Sequence, residues 1–172
     1  MKKTINVLTI AFSAPPRSSP QSYLLAKMLP YWVKNGVFPW VIAPPRIMEL
    51  ADPCFKALFI NKDIQFIRMK RPFIFKRIFF HLFPFFAKPD MDIAFLPNAL
   101  KVADIILKQQ KINLLFSWAS PHVCSIVALR IKEKTSLPWI AHFSDPWVDN
   151  TLIRMDNYYN RKMEEAVIRK CD

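Results

Sequence analysis

The sequence predicts an α/β protein with one Rossmann-like domain, in which a doubly wound, mostly parallel sheet carries helices on both faces. Short apolar runs alternate along the chain with segments of helical periodicity, and this alternation is typical of crossovers between parallel strands. The length of 172 residues suits a single domain, and the apolar fraction of 52% is ample for a buried core.

The first strand and the first helix have clear boundaries. Residues 6–12 form an apolar, β-branched run that predicts a buried parallel strand. Ser19 is a suitable cap for a helix that has Pro20 at its first position. The Asn35-Gly36 pair is a stop signal and predicts the end of this helix.

Prolines affect the next two elements. Pro30 falls inside the first helix and should kink or split it. A second strand is predicted at residues 38–42, where Pro39 weakens it. A third strand is predicted at residues 64–67, so the first half of the chain supplies three strands.

The second half of the chain continues the alternation. Its predicted elements are an amphipathic helix at 98–110, a strand at 114–118, a helix that Ser120 caps and that runs to Thr135, a strand at 139–143, and a helix at 158–170. Five strands separated by helices follow from the whole pattern.

The composition of the chain limits the partners, cofactors and metals that we expect it to bind. The 25 lysines and arginines exceed the 13 acidic residues, and the net charge of +12 favours anionic partners or a basic solvated surface. Gly36 is the only glycine, so the chain contains neither G-x-G-x-x-G nor a P-loop motif, which argues against nicotinamide, flavin and P-loop chemistry. No cofactor is expected. The three cysteines lack metal-ligand spacing, so we expect free thiols and no metal site.

Three loops should form the site, because ligands of such sheets bind beyond the carboxyl ends of the strands. These loops are residues 15–19, 119–122 and 144–147, and the last strand adds one histidine beside them. The candidate residues of the cleft are Arg17, Ser18, Ser19, Ser120, His122, His142, Asp145 and Trp147.

Several of these residues allow two interpretations. Asp145 can accept the proton of a bound hydroxyl or position that hydroxyl, or it can cap the turn before Pro146. His142 can serve as a base, although a packed histidine is the more common case. Trp147 can stack on a sugar ring, although a place in the core is the more common case.

Three segments resemble the N-terminal domain of family-4 glycosyltransferases of the GT-B fold. They are residues 6–36 (NVLTIAFSAPPRSSPQSYLLAKMLPYWVKNG), residues 113–147 (NLLFSWASPHVCSIVALRIKEKTSLPWIAHFSDPW) and residues 163–172 (MEEAVIRKCD). The most specific parts are the S-P-H sequence and the run L-P-W-I-A-H-F-S-D-P-W. Residues 52–88 match the family poorly.

The resemblance implies transfer of a sugar from a nucleotide-sugar donor, with no required metal. It places Arg17, Ser18 and Ser19 beside the donor phosphates and Asp145, the catalytic candidate, near the acceptor. The family often has two glycines where Ser18 and Ser19 stand. Family members continue beyond Asp172 into a second Rossmann-like domain that binds the donor, so we expect residues 1–172 to be the acceptor-side domain and the donor domain to be absent.

Residues 64–89 form a basic aromatic insert without acidic residues. Its candidate membrane-facing residues are Arg68, Lys70, Arg71, Lys76, Arg77, Phe79 and Phe80. The composition favours docking on an anionic membrane surface. Packing against the sheet or against a second domain is the main alternative, and nucleic-acid binding is the least favoured.

The leading functional hypothesis is a glycosyltransferase N-terminal domain of hexosyltransferase type, working in cell-surface polysaccharide or glycolipid synthesis. The nucleotide sugar would bind through the missing domain, and a sugar or lipid-linked molecule would be the acceptor. The chain alone is expected to be inactive. We expect a cytoplasmic protein, peripheral on the inner face of the cell membrane. The alternatives are a non-catalytic membrane-surface binding module and a stand-alone phosphometabolite-binding α/β domain.

Overall fold

A parallel β-sheet with helices on both faces forms the framework of this α/β protein, as the sequence predicts. The computed structural model describes residues 4–45, 53–69, 88–150 and 157–172. Within these ranges the sheet has five strands in the order β3-β2-β1-β4-β5, and every pairing is parallel. The strands are β1 (Ile5–Ala11), β2 (Val37–Ala43), β3 (Gln65–Arg68), β4 (Leu114–Ala119) and β5 (Trp139–Phe143).

Helices cover both faces of this sheet. The described helices are α1 (Pro20–Lys34), α2 (Lys56–Ile60, after a 3-10 turn at Pro53–Phe55), α3 (Phe95–Gln109), α4 (Val123–Thr135) and α5 (Tyr158–Lys170). Helices α1 and α2 pack on one face, and α3 and α4 pack on the other. Helix α5 lies against α4, so the domain has three layers with the sheet in the middle.

Alternate residues of β1 belong to different cores, because side chains of a strand point to opposite faces. Leu8 and Ile10 pack with α3 and α4, whereas Val7 and Ala11 pack with α1 and α2. Burial on both faces explains why this strand is mostly apolar and lacks a strict alternation of apolar and polar residues.

Helix α1 begins and ends where the sequence predicts. Ser19 has extended backbone angles, and its hydroxyl oxygen accepts a hydrogen bond from the N–H of Ser22 at 3.2 Å. Gly36 has a φ of 80°, which a glycine adopts without steric cost. Pro30 does not split the helix, which runs unbroken through it to Lys34, so that alternative is wrong.

Replacing Ser19 with Ala should destabilise the domain by about 1 kcal/mol, because the capping oxygen at the start of α1 is lost. Urea unfolding of the two proteins measures this difference. Ser18→Ala is the matched control, since Ser18 is exposed, does not cap the helix, and has its hydroxyl 3.1 Å from Tyr23 Oη. Equal losses in both variants would show that the cap is not the cause.

Strand β2 tolerates Pro39 because of where its neighbours begin. At Pro39 the strand pairs with β1 at Val7, whereas pairing with β3 starts one residue later, at Trp40. The strand therefore needs ladder hydrogen bonds on one side alone at this position, which is where a proline is tolerated.

The start of α4 differs from the expectation. The helix begins at Val123, with His122 at the capping position and no side-chain hydrogen bond from it. Ser120 is therefore not the cap, and that prediction is wrong. The carboxylate of Asp90, which is distant in sequence, accepts a hydrogen bond from the N–H of Val123 at the start of this helix instead.

The basic aromatic insert is described in part. Arg68 ends β3, and its guanidinium donates hydrogen bonds to the carbonyl oxygens of Pro15 and Pro44. Arg68 thus ties β3 to the loops after β1 and β2, and these contacts engage its guanidinium within the domain. Of the other candidates, Lys70, Arg71, Lys76, Arg77, Phe79 and Phe80 lie outside the described residues.

None of the helices in the described ranges combines the length and the apolar character needed to cross a membrane.

Candidate functional site

An open cleft lies at the point where the strand order reverses. Strand β1 has β2 on one side and β4 on the other, so the chain segments that leave β1 and β4 diverge. Such a switch point is the usual ligand site of doubly wound sheets. The cleft has a volume of about 330 Å³, and its lining residues are Phe12, Ser13, Arg17, Pro20, Gln21, Asp92, Ser120, Pro121 and Asp145.

The three predicted loops meet in this cleft. Arg17 comes from the loop after β1, Ser120 from the loop after β4 and Asp145 from the loop after β5. The sequence did not predict the contributions of Phe12, Ser13 and Asp92. The carboxyl ends of three strands thus supply one cation, the hydroxyls of Ser13 and Ser120, and one carboxylate to a shared space.

Arg17 is the cation of the cleft. Its side chain is exposed, and its guanidinium carbon lies 5.7 Å from the centroid of the Phe12 ring. Within the described ranges it forms no salt bridge with the acidic residues. Its guanidinium donors are therefore available to an anionic group in the cleft, and Arg is well suited to phosphate oxygens.

Asp145 presents an open carboxylate. The residue is exposed, and no hydrogen bond to its side chain occurs in the part of the chain that the structure describes. The capping of the turn before Pro146 therefore has no support. Asp145 also lines a second cavity of about 310 Å³, on the side of α5, with residues that include Phe143, Glu164 and Ile168. The carboxylate can thus meet a hydroxyl approaching from either side.

Ser18 and Ser19 are not among the residues that line the cleft. Ser19 is engaged as the cap of α1, and its hydroxyl also donates to Ser22 Oγ at 3.0 Å. The Ser18 hydroxyl lies 3.1 Å from Tyr23 Oη. The structure thus uses Ser19 to start the helix that carries Pro20 and Gln21 into the cleft.

Ser144 fixes the loop that carries Asp145. Its hydroxyl lies 2.7 Å from Gln21 Oε1 and 2.9 Å from the carbonyl oxygen of Ala119. These contacts connect the ends of β4 and β5 with the start of α1. The wall of the cleft that holds Asp145 is therefore tied to the other two loops.

His122 and Trp147 form a buried stack and do not line the cleft. Their rings are nearly parallel, with centroids 4.7 Å apart, and Trp147 is 0% exposed. Trp147 therefore fills core space, and a role in stacking on a sugar ring is wrong. Burial lowers the pKa of His122 to about 4, against the opposing effect of Asp145. His122 is thus uncharged at neutral pH and offers no cation to a phosphate.

His142 is a packed residue. Its ring stacks on Trp118 at 4.0 Å between centroids, and the two residues are partners in the pairing of β4 with β5. Burial is the main cause that lowers its pKa below the usual range. The packed interpretation of His142 is therefore the one the geometry favours.

Asp90 holds the start of α4 and was not predicted. Its Oδ2 accepts a hydrogen bond from the N–H of Val123 at 2.9 Å, and its Oδ1 accepts one from the N–H of Asp92 at 3.0 Å. Burial raises its pKa to about 6, because the charged form loses solvation, and these hydrogen bonds oppose the rise. One carboxyl thus positions Asp92 and the helix that follows Ser120, both at the cleft.

The thiol nearest the cleft is inert. Cys124 is fully buried at the start of α4, and its Sγ accepts a hydrogen bond from the N–H of Phe12 at 3.2 Å. Burial raises the pKa of this thiol, so it stays protonated and is a poor nucleophile. Across the described ranges, no group of three or more His, Cys, Asp or Glu residues is placed to hold a metal ion.

No protein-family model matches the chain, and no curated protein matches it. Similar folds occur among solved structures. UGT2 from Phytolacca americana, a UDP-glycosyltransferase of the GT-B fold, in complex with UDP-2fluoro-glucose and pterostilbene has a TM-score of 0.55 and 7% identity, over 83% of this chain and 31% of that chain. Its apo form has a TM-score of 0.52 and 8% identity, over 81% and 29%.

A third structure is less similar. The dTDP-glucose 4,6-dehydratase of Bacillus anthracis str. Ames in complex with NAD has a TM-score of 0.48 and 8% identity, over 96% of this chain and 49% of that chain.

This chain spans less than a third of the length of UGT2. The similarity to UGT2 shows that this chain has a Rossmann-like fold of the kind found in GT-B glycosyltransferases. Membership of this chain in family 4 stays a prediction.

Proposed function

We propose that this chain is the acceptor-side domain of a two-domain glycosyltransferase that transfers a sugar from a nucleotide sugar. The observation that best supports this proposal is the cleft, where the guanidinium of Arg17 and the exposed carboxylate of Asp145 line one space. A transfer from a sugar diphosphate needs a cation for the phosphates and an acceptor of protons for the incoming hydroxyl.

In this proposal Asp145 binds the hydroxyl of the acceptor. The carboxylate orients the hydroxyl and takes its proton while the hydroxyl oxygen bonds to the anomeric carbon. The bond from that carbon to the phosphate oxygen breaks, and the nucleoside diphosphate leaves with the electron pair. Arg17 stabilises the negative charge that grows on the departing phosphate.

The donor-binding domain belongs, in this proposal, to a longer polypeptide. The similarity to UGT2 supports this division, because a chain with this fold covers less than a third of that protein. The cleft of the present domain supplies one guanidinium and few other donors, which is little for holding a complete nucleotide. Membership of family 4 and a place in cell-surface polysaccharide or glycolipid synthesis remain proposals from the sequence resemblance.

The proposal predicts a longer natural polypeptide, and the test compares that full-length protein with residues 1–172 alone. Calorimetric titration with UDP, GDP and dTDP should show binding to the full-length protein and none to the isolated chain. Release of nucleoside diphosphate from the matching nucleotide sugar, with octyl glycosides as acceptors, should likewise require the full-length protein. Tight nucleotide binding by residues 1–172 would contradict the division and favour a stand-alone phosphometabolite-binding domain.

A further inference from the structure

Helix α1 has an unusual outward face. The helix packs on the sheet through Ser22, Leu25 and Leu29. At 3.6 residues per turn, its exposed residues fall within an arc of about 120° on the opposite side. They are Pro20, Tyr23, Leu24, Lys27, Pro30, Tyr31 and Lys34. Four kinds of residue therefore cover this face, namely proline, tyrosine, leucine and lysine, and none of them is acidic.

The large side chains of this face are well exposed. Tyr31 is 67% exposed and Leu24 is 48% exposed. Within the described ranges neither Lys27 nor Lys34 forms an ion pair. Helix α5 shows the ordinary alternative, because its exposed side carries acids that pair with bases, as Glu165 does.

The same chemistry continues on α2. The Tyr23 ring lies 4.9 Å from the ring of Phe55, in the 3-10 turn that precedes α2. Beyond this contact Ile60 is 78% exposed and Phe59 is 38% exposed. Two exposed lysines, Lys56 and Lys62, flank them, and one exposed acid, Asp63, follows Lys62. The outward faces of α1 and α2 therefore form one surface of apolar groups and cations, named here the α1–α2 surface.

We propose that the α1–α2 surface docks on an anionic lipid membrane. Its apolar side chains would enter the boundary between headgroups and acyl chains, and its lysines would meet the headgroup phosphates. A nucleic acid would satisfy the lysines but leave Leu24 and Ile60 in water, since phosphates and bases offer them no apolar environment. A bilayer surface accommodates both kinds of side chain at once.

The position of the surface suits a membrane-bound acceptor. Pro20 belongs to the outward face of α1 and also lines the cleft. The α1–α2 surface therefore reaches the mouth of the cleft. Docking does not depend on the proposed transferase activity, although it would bring that mouth close to lipids.

The test measures binding of the full-length protein to vesicles of phosphatidylglycerol and phosphatidylcholine, and to phosphatidylcholine vesicles alone. The pair Lys27→Gln and Lys34→Gln should lower the partition constant for the anionic vesicles by roughly 30-fold, about 5-fold per lysine. The pair Leu24→Ser and Tyr31→Ser should lower it by about 10-fold or more. Urea unfolding confirms that each variant is folded.

Matched controls come from α3, which packs on the other face of the sheet. The pair Lys101→Gln and Lys108→Gln makes the same change of charge, and Ile105→Ser removes a side chain that is 53% exposed. Both controls should bind vesicles as the unaltered protein does. Equal losses in the α1 and α3 variants, or unaltered binding in the α1 variants, would overturn the proposal. So would a full-length protein that binds duplex DNA through these lysines and does not bind anionic vesicles.

Discussion

Asp145→Asn in the full-length protein is expected to lower kcat for sugar transfer by about 10²- to 10⁴-fold, the usual contribution of a positioned acid–base group. The amide keeps the size of the side chain but cannot take the proton of the acceptor hydroxyl. The rate of nucleoside diphosphate release at saturating nucleotide sugar measures the effect.

Stability should change little in the same variant. The Asp145 carboxylate is exposed and accepts no hydrogen bond within the described part of the chain, so its replacement leaves no buried group unpaired. Urea unfolding should agree with that of the unaltered protein to about 0.5 kcal/mol. A loss of activity with unchanged stability therefore isolates the chemical role.

Asp104→Asn is the matched control for this change. Asp104 is exposed on α3 and does not line the cleft. Its variant should keep the full rate. If Asp145→Asn also keeps the full rate, Asp145 is not the proton acceptor, and the second carboxylate of the cleft, Asp92, becomes the alternative.

The strands were predictable because their signal is local. Residues 6–12, 114–118 and 139–143 are short apolar runs between turn residues, and the structure places β1, β4 and β5 there within one residue. The order of parallel strands then places the cleft, since ligand sites of such sheets lie at the reversal point. That rule brought Arg17, Ser120 and Asp145 together from sequence alone.

Contacts between distant segments were not predictable from the sequence. Ser120 satisfies the local rules for a helix cap, yet Asp90, 33 residues before Val123, supplies the capping oxygen. Arg68 lies in a segment whose basic aromatic composition favours a membrane surface. Its guanidinium nevertheless donates a hydrogen bond to the carbonyl oxygen of Pro15, 53 residues away. In both cases a tertiary hydrogen bond outweighs the preference that local sequence expresses.

One short helix was missed because its signal in the sequence is weak. Helix α2 has five residues, too few for helical periodicity to be visible. For Trp147 the sequence left open a place in the core, the more common case, and stacking on a sugar ring. The fold favours the core, because the ring is 0% exposed and packs on His122.

Asp90 should make the stability of the domain depend on pH. The ordinary carboxyl pKa of 3.8 describes the unfolded chain, and burial raises the folded value to about 6. The folded state therefore holds this proton more tightly. The stability that results is fully present below pH 3.8 and is lost as the pH rises through about 6. The difference corresponds to at most about 3 kcal/mol.

The groups that face Asp90 explain why its charge is disfavoured. The Asp92 carboxylate repels a second negative charge. Among the described residues no cationic side chain contributes to the shift of this pKa, and burial leaves His122 neutral at pH 6. The backbone N–H groups of Val123 and Asp92 support the charged form but do not offset the loss of solvation.

Asp90→Asn carries no charge at any of these pH values and isolates the effect. Urea titrations at several pH values give the free energy of unfolding of both proteins. The value for the unaltered protein minus the value for Asp90→Asn should fall by about 2 to 3 kcal/mol between pH 4 and pH 7. Asp92→Asn removes a repulsion that raises the Asp90 pKa. When both proteins also carry Asp92→Asn, the difference in unfolding free energy should therefore fall by less between pH 4 and pH 7, but it should still fall. A difference that stays constant across this range would mean that the Asp90 carboxyl is as well solvated in the folded protein as in the unfolded chain, and its role at the start of α4 would then rest on hydrogen bonding alone.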